Sequence, residues 1–263
     1  MANLPQTLAS ETSEAINALI GESDRFRDLN STEIKMLLAE VAKLQKVDAR
    51  EAFVRFGSIS AICGDVDGVF EFFRKALQHP NEPDTKHEFW ISLANVGRYS
   101  NARAIGSWLL EPKRGFFPKV WQRAVSTGLV REVWERLPDA KKTFPDLSVD
   151  DFANVEAAAN AMVSHGLNDD SVVAVLDLMG EIQRKHRIMF AGEFVSSLKV
   201  VRPPEDAPYL YFAVPLACDV VEIHALNREL ARSVVEKLPD GRYPAGIVAS
   251  FVKSEPLELL AAA

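Results

Sequence analysis

The run Gly64-Asp65-Val66-Asp67-Gly68 sets two carboxylates one residue apart between glycines, a composition shared by cation-binding and phosphate-binding loops. A calcium loop of the EF-hand kind needs oxygen ligands at alternate positions, a glycine sixth and a bidentate glutamate twelfth. Here the chain passes instead into Val69, Phe70, Phe72 and Phe73. A phosphate loop needs a buried strand before it and more glycines, so that the backbone can approach the anion. The residues before Gly64 carry helical spacing. The segment therefore reads as architecture, a turn between two helices.

The other reactive side chains are scattered. None of the five histidines, at 79, 87, 165, 186 and 224, stands in the helical His-Glu-x-x-His pattern that offers two nitrogens to zinc. There is no Gly-x-Ser-x-Gly elbow and no pair of Cys-x-x-Cys motifs. Glu222 and His224, near the start of the last helical pattern, are the nearest approach to an acid–base pair, and Cys218 just before them is a candidate nucleophile at a helix N-terminus. These three define an alternative reading, an enzyme or small-ligand sensor with its site in the C-terminal module. No motif calls for a cofactor or metal.

A net charge of −7 repels a phosphate backbone unless a local basic patch reverses the field. The best such patch, Arg184 to Arg187, is short and reads as a solvated helix end, so nucleic acid is not the expected partner. An acidic chain also suits a regulatory or immunity-type protein that masks a basic partner, a further alternative. Cys63 and Cys218 sit far apart among apolar neighbours, which suits buried thiols in a reducing compartment. The first residues lack a cationic start followed by an apolar run, and no stretch of about 20 apolar residues occurs. The expectation is a soluble cytoplasmic protein with no membrane contact.

The elements that would position any site are mostly helices. Residues 1–48 form an N-terminal helical segment whose clear helix starts at Asn30 or Ser31 and carries the stripe Ile34, Leu37, Leu38, Val41, Leu44. From Ala49 to about residue 189 apolar helices alternate with glycine turns. Ala52, Phe53, Phe56, Ile59 and Ile62 precede Gly64, and Val69, Phe70, Phe72, Phe73, Ala76 and Leu77 follow it, up to His79-Pro80. Turn glycines at 64, 97, 128 and 166 are spaced 33, 31 and 38 residues apart, the period of stacked helix pairs.

Residues 50 to 80 resemble a tetratricopeptide repeat: Phe53, Gly57, Gly64, Asp65 and Ala76 match that family's bulky, small, turn and small positions. Gly97, Tyr99 and Ala102 continue the likeness into a second unit, while Trp90 stands where the family wants a small side chain, and Trp121 repeats that departure 31 residues later. The resemblance implies an inner groove lined by the first helix of each unit, into which Ser58, His87, Asn95, Gln122 and Ser126 point. Trp90 and Trp121, in equivalent phase, are candidate anchors for a partner's side chain.

Residues 190–263 turn toward strands. FAGEFVSSLKVV, YLYFAVPL and AGIVASFVK are rich in β-branched and aromatic residues. Between the second and third lies a helix with Asp219 and Glu222 at its start, the stripe Ile223, Leu226, Leu230, Val234, Leu238, and Gly241 at its exit. The expected fold is mainly α, stacked helical hairpins with a small β-β-α-β module. The expected function is non-catalytic: a scaffold or adaptor that binds another protein or peptide.

Overall fold

The computed structural model describes residues 5–22, 25–148, 152–189, 197–216, 218–238 and 244–253. The protein is mainly helical, with a small mixed sheet in the C-terminal part. Helix α1 (Pro5–Glu22) lies within the expected N-terminal helical segment; among its residues with described side chains it buries Thr12, Ile16 and Leu19, and it packs on the next two helices. Helix α2 (Thr32–Leu44) starts at Ser31, whose Oγ accepts the Ile34 amide at 3.3 Å, and it buries Ile34, Leu37, Val41 and Leu44.

Then come the helix pairs: α3 (Ala49–Cys63) with α4 (Val66–Ala76), α5 (Glu82–Asn95) with α6 (Tyr99–Leu109), and α7 (Phe117–Ser126) with α8 (Val130–Thr143). Gly64, Gly97 and Gly128 each take a positive φ, where any other side chain would be strained. The amide after each glycine returns to the carbonyl five residues back: Asp65 to Ser60, Arg98 to Leu93, Leu129 to Ala124. Each first helix thus ends on the same satisfied C-terminal turn. The pairs stack in chain order, α3 and α4 on α5, α6 on α7, and α8 on α9 (Ala153–Ser164).

The packing inside two pairs exchanges large for small. In the first pair the Phe73 ring of α4 covers Gly57 of α3, so closely that a Cβ on Gly57 would lie 2.5 Å from it. In the second, Trp90 of α5 is the large residue and Gly106 of α6 the small one, 3.0 Å separating a Cβ there from the indole Nε1. Both partners have moved by 33 residues and swapped size. This corrects the expectation that Trp90 is a partner-binding anchor: it is 0% exposed and fills the space Gly106 leaves.

The fourth pair departs from the hairpin plan. Helix α10 (Asp169–Lys185) lies against α6 and α8, along the turn ends of the earlier pairs. A Cβ on Gly128 would meet Val172 and Val173 of α10, and one on Gly97 would meet Gly180 Cα at 2.4 Å. Beyond the helix Ile188 pairs with Arg25, next to Phe26, whose ring covers Gly64. Val173 to Gly180 is about 10.5 Å of helix, close to the distance between packed helices.

Helix α10 also supplies caps. Asp65 caps its own helix α4, accepting the Gly68 amide at 3.0 Å. At the same place in the next two pairs stand Arg98 and Leu129, and neither makes a side-chain cap. There α10 substitutes. Asp177 accepts from the Ser100 amide at 3.2 Å and from the Ser100 hydroxyl, and Asp169 accepts from the Arg131 and Glu132 amides at 2.9 and 3.0 Å. Arg184 donates to the Val96 and Gly97 carbonyls at the end of α5.

In the C-terminal module β1 (Ser197–Val201) pairs antiparallel with β2 (Tyr209–Leu216), and β3 (Ile247–Lys253) pairs parallel with β2. Helix α11 (Val220–Lys237) makes the crossover that a parallel pair needs, starting at Asp219, whose carboxylate accepts the Glu222 amide at 2.8 Å. Its stripe buries Ile223, Leu226 and Leu230. Asn227 both donates to the Phe251 carbonyl and accepts its amide, each at 2.8 Å, filling the place of a fourth strand at that residue. α9 packs on β1 and β2, and His165 Nε2 lies 2.8 Å from the Pro208 carbonyl with its ring against Gly246. Residues 190–196 of the first expected strand, and Gly241 at the exit of α11, lie outside the described residues.

Candidate functional site: the polar row of the first helices

Helical residues three, four and seven apart share a face. Glu51, Arg55 and Ser58 make such a row on α3; Asp84, Glu88 and Asn95 make one on α5, with His87 beside it; Lys119 and Arg123, with Gln122 beside them, make one on α7. All are half-buried or exposed. Arg55 and Glu88 stand 33 residues apart, the interval of the turn glycines.

The charges in these rows are not all settled. Glu51 is paired with Arg55 and accepts from Arg50 at 3.1 Å. Glu88 makes no hydrogen bond or ion pair with any described residue. Burial pushes its carboxyl above the usual range, and the opposing pull of Arg55 from α3 and Arg123 from α7 does not cancel that. Burial likewise lowers the pKa of Arg123, with Glu88 as the opposing charge. The two attract without touching. His87 is held below its ordinary pKa by burial first, then by Arg123 and Lys119, with Asp84 opposing. Its ring centre lies 6.1 Å from that of Trp90 and 6.2 Å from that of Phe116. A surface of this kind can receive polar and charged groups of a bound chain.

Of the residues expected in the groove, Ser58, His87, Asn95 and Gln122 fall on or beside these rows. The Ser58 hydroxyl donates to the Val54 carbonyl at 3.1 Å. Ser126 is interior, 5% exposed, its hydroxyl bonded back to the Arg123 carbonyl, so it presents nothing to a partner. Trp121 is half-buried and lies off the row, its ring centre 4.3 Å from that of Phe152 at the start of α9. Arg55, Glu88 and Arg123 were missed. Their signal was available: Arg55, Glu88 and Arg123 lie three or seven residues from Ser58, Asn95 and Ser126, in the same helical phase as these expected groove residues.

The C-terminal candidates do not form an acid–base constellation. Arg25 pairs with Glu222 at 2.6 Å, approaches Cys218 Sγ at 4.0 Å and donates to the His186 carbonyl at 3.0 Å. Glu222 and Cys218 thus belong to a joint between the N-terminal segment and α11. His224, two residues along the helix, faces the other way and is exposed. Cys63 and Cys218 are buried and form no disulfide, and burial raises the Cys63 thiol to about 11.

The basic run 184–187 is a connector, which corrects its reading as a solvated helix end. Arg184 binds the α5 terminus, Lys185 and His186 both reach Glu229 of α11 at 2.8 Å, and Arg187 donates to the Phe26 and Arg27 carbonyls.

Fold and rows together define a stacked array of helical hairpins, braced along one edge by α10 and carrying a small α+β module. Compared with protein-family models, curated proteins and solved structures, the chain matches none. Among the described residues no helix is long and apolar enough to cross a membrane, and no three His, Cys, Asp or Glu side chains gather closely enough to hold a metal ion.

Proposed function

We propose that the protein is a non-catalytic, cytoplasmic interaction scaffold whose polar rows on α3, α5 and α7 bind a segment of another protein. The observation that carries this reading is Glu88, held half-buried between cations of two neighbouring helices yet bonded to no described residue. A charged group desolvated without a direct partner is costly, and a bound chain that donates to it removes that cost. Stacked repeats suit the role, because each unit buries its apolar flank on the next and leaves an extended surface free.

The test is a photo-crosslinking amino acid placed at Asn95 or Gln122, compared with one at Glu71 on the exposed side of α4. The scaffold reading expects one recurrent partner at both row positions and loss of that adduct in Glu88→Ala. Equal labelling at Glu71, or an adduct indifferent to Glu88, removes the row as the binding surface.

A further inference from the structure

Helices α10 and α11 run antiparallel, since Lys185 meets Glu229 while Glu181, one turn earlier in α10, meets Lys237, two turns later in α11. Between these two ion pairs lies a cleft of about 680 Å³. Arg228 and Arg232, one helical turn apart on α11, line it, with Ser233 beside them. Both arginines are exposed, and neither forms an ion pair with any described residue. The nearby carboxylates are otherwise occupied: Glu229 is taken by Lys185 and His186, and Glu181 by Lys237. Glu236 is the one lining carboxylate without such a partner among the described residues. In a chain of net charge −7, a cleft lined by four cations, Lys185, Arg228, Arg232 and Lys237, against three carboxylates is a local reversal of sign.

We propose that this cleft binds a small phosphate-bearing ligand, its phosphate held between the guanidinium groups of Arg228 and Arg232 with the Ser233 hydroxyl as a further donor. A phosphate monoester carries about −1.5 to −2 charges at neutral pH, enough to balance two cations, and its oxygens match the planar fork of arginine. The ion pairs at both ends favour a compact ligand over a long chain, which would have to break them to pass through. The volume lies in the range of small-molecule sites. This site is separate from the rows on α3, α5 and α7 and does not depend on their function.

The test is titration calorimetry of the full chain with inorganic pyrophosphate at low ionic strength. Wild type is expected to bind saturably, and Arg228→Gln with Arg232→Gln to weaken binding at least about tenfold, the loss expected for two charge-assisted contacts. Lys35→Gln with Lys46→Gln, exposed positions on and just after α2, changes the net charge equally and is expected to leave binding unchanged. Circular dichroism of each variant checks that it is folded. Absence of saturable binding by folded wild type, or an equal loss in both double variants, overturns the proposal.

Discussion

Replacing Asp169 by alanine removes the acceptor for two amides at the start of α8, a helix with no capping side chain of its own. Loss of an N-cap costs about 0.5–2 kcal/mol. Asp169 is only 6% exposed, so water replaces its oxygens poorly and the hydrogen-bond loss falls near about 2 kcal/mol. Part of this is returned. Burial raises the pKa of the Asp169 carboxyl despite its two amide donors, so the folded state bears a desolvation cost at neutral pH that alanine lacks. The net expectation is about 1–2 kcal/mol, a fall of roughly 2–6 °C in melting temperature for a chain of this size. The sign of the pH dependence follows. A carboxyl whose folded pKa is raised contributes most below its unfolded pKa and progressively less as pH rises through the folded value. The Asp169→Ala penalty is therefore larger at pH 4 than at pH 8. Asp177→Ala should cost less, about 0.5–1 kcal/mol, because water can reach the Ser100 amide it serves. The two sites lie about 12 Å apart along α10, so their costs should add within about 0.5 kcal/mol. Urea unfolding followed by helical circular dichroism measures all of this. If Asp169→Ala matches wild type while Asp65→Ala, the local cap of α4, is destabilised by about 1 kcal/mol, capping by α10 is refuted.

Gly106→Ala should destabilise by about 1–3 kcal/mol, since its Cβ meets Leu129 and Trp90, and Trp90→Phe should recover part of that loss; strict additivity in the double-mutant cycle would show that the two do not share the space. Because the pKa of His87 is lowered in the folded state, its contribution is present above its unfolded pKa and lost as pH falls through the folded value, so His87→Asn should flatten the decline of urea midpoints measured from pH 7 to pH 5. Both thiols should resist Ellman's reagent at pH 8 in the native protein and react once it is unfolded, and rapid native reaction of Cys63 would contradict its burial and raised pKa.

Much of the fold was legible because it rests on local chemistry. Gly64, Gly97 and Gly128 mark the turns they were expected to mark, and Tyr209–Leu216 matches its strand residue for residue. What escaped depends on contacts distant in sequence. The acceptors on α10 serve amides 37 to 77 residues away, and nothing in the spacing of Asp169 or Asp177 distinguishes a distant cap from an ordinary start of a helix. Trp90 was misjudged for a related reason. Its size is tolerated because Gly106 on the neighbouring helix is small, and that exchange is invisible until the two residues are considered as a pair. Among the candidate site residues, helical phase groups Ser58, His87, Asn95 and Gln122 on or beside the rows, where they are half-buried or exposed, but it could not tell that Ser126, on the same face, lies under neighbouring structure.

The brace has a bearing on synthesis. The second helices α6 and α8 leave the ribosome before the α10 carboxylates that cap them, whereas α4 carries its own cap in Asp65, and the joint at Arg25 closes only when Ile188 has been made. The array is thus fastened along one edge only after its leaves are written, and a single late rod binds them into a book.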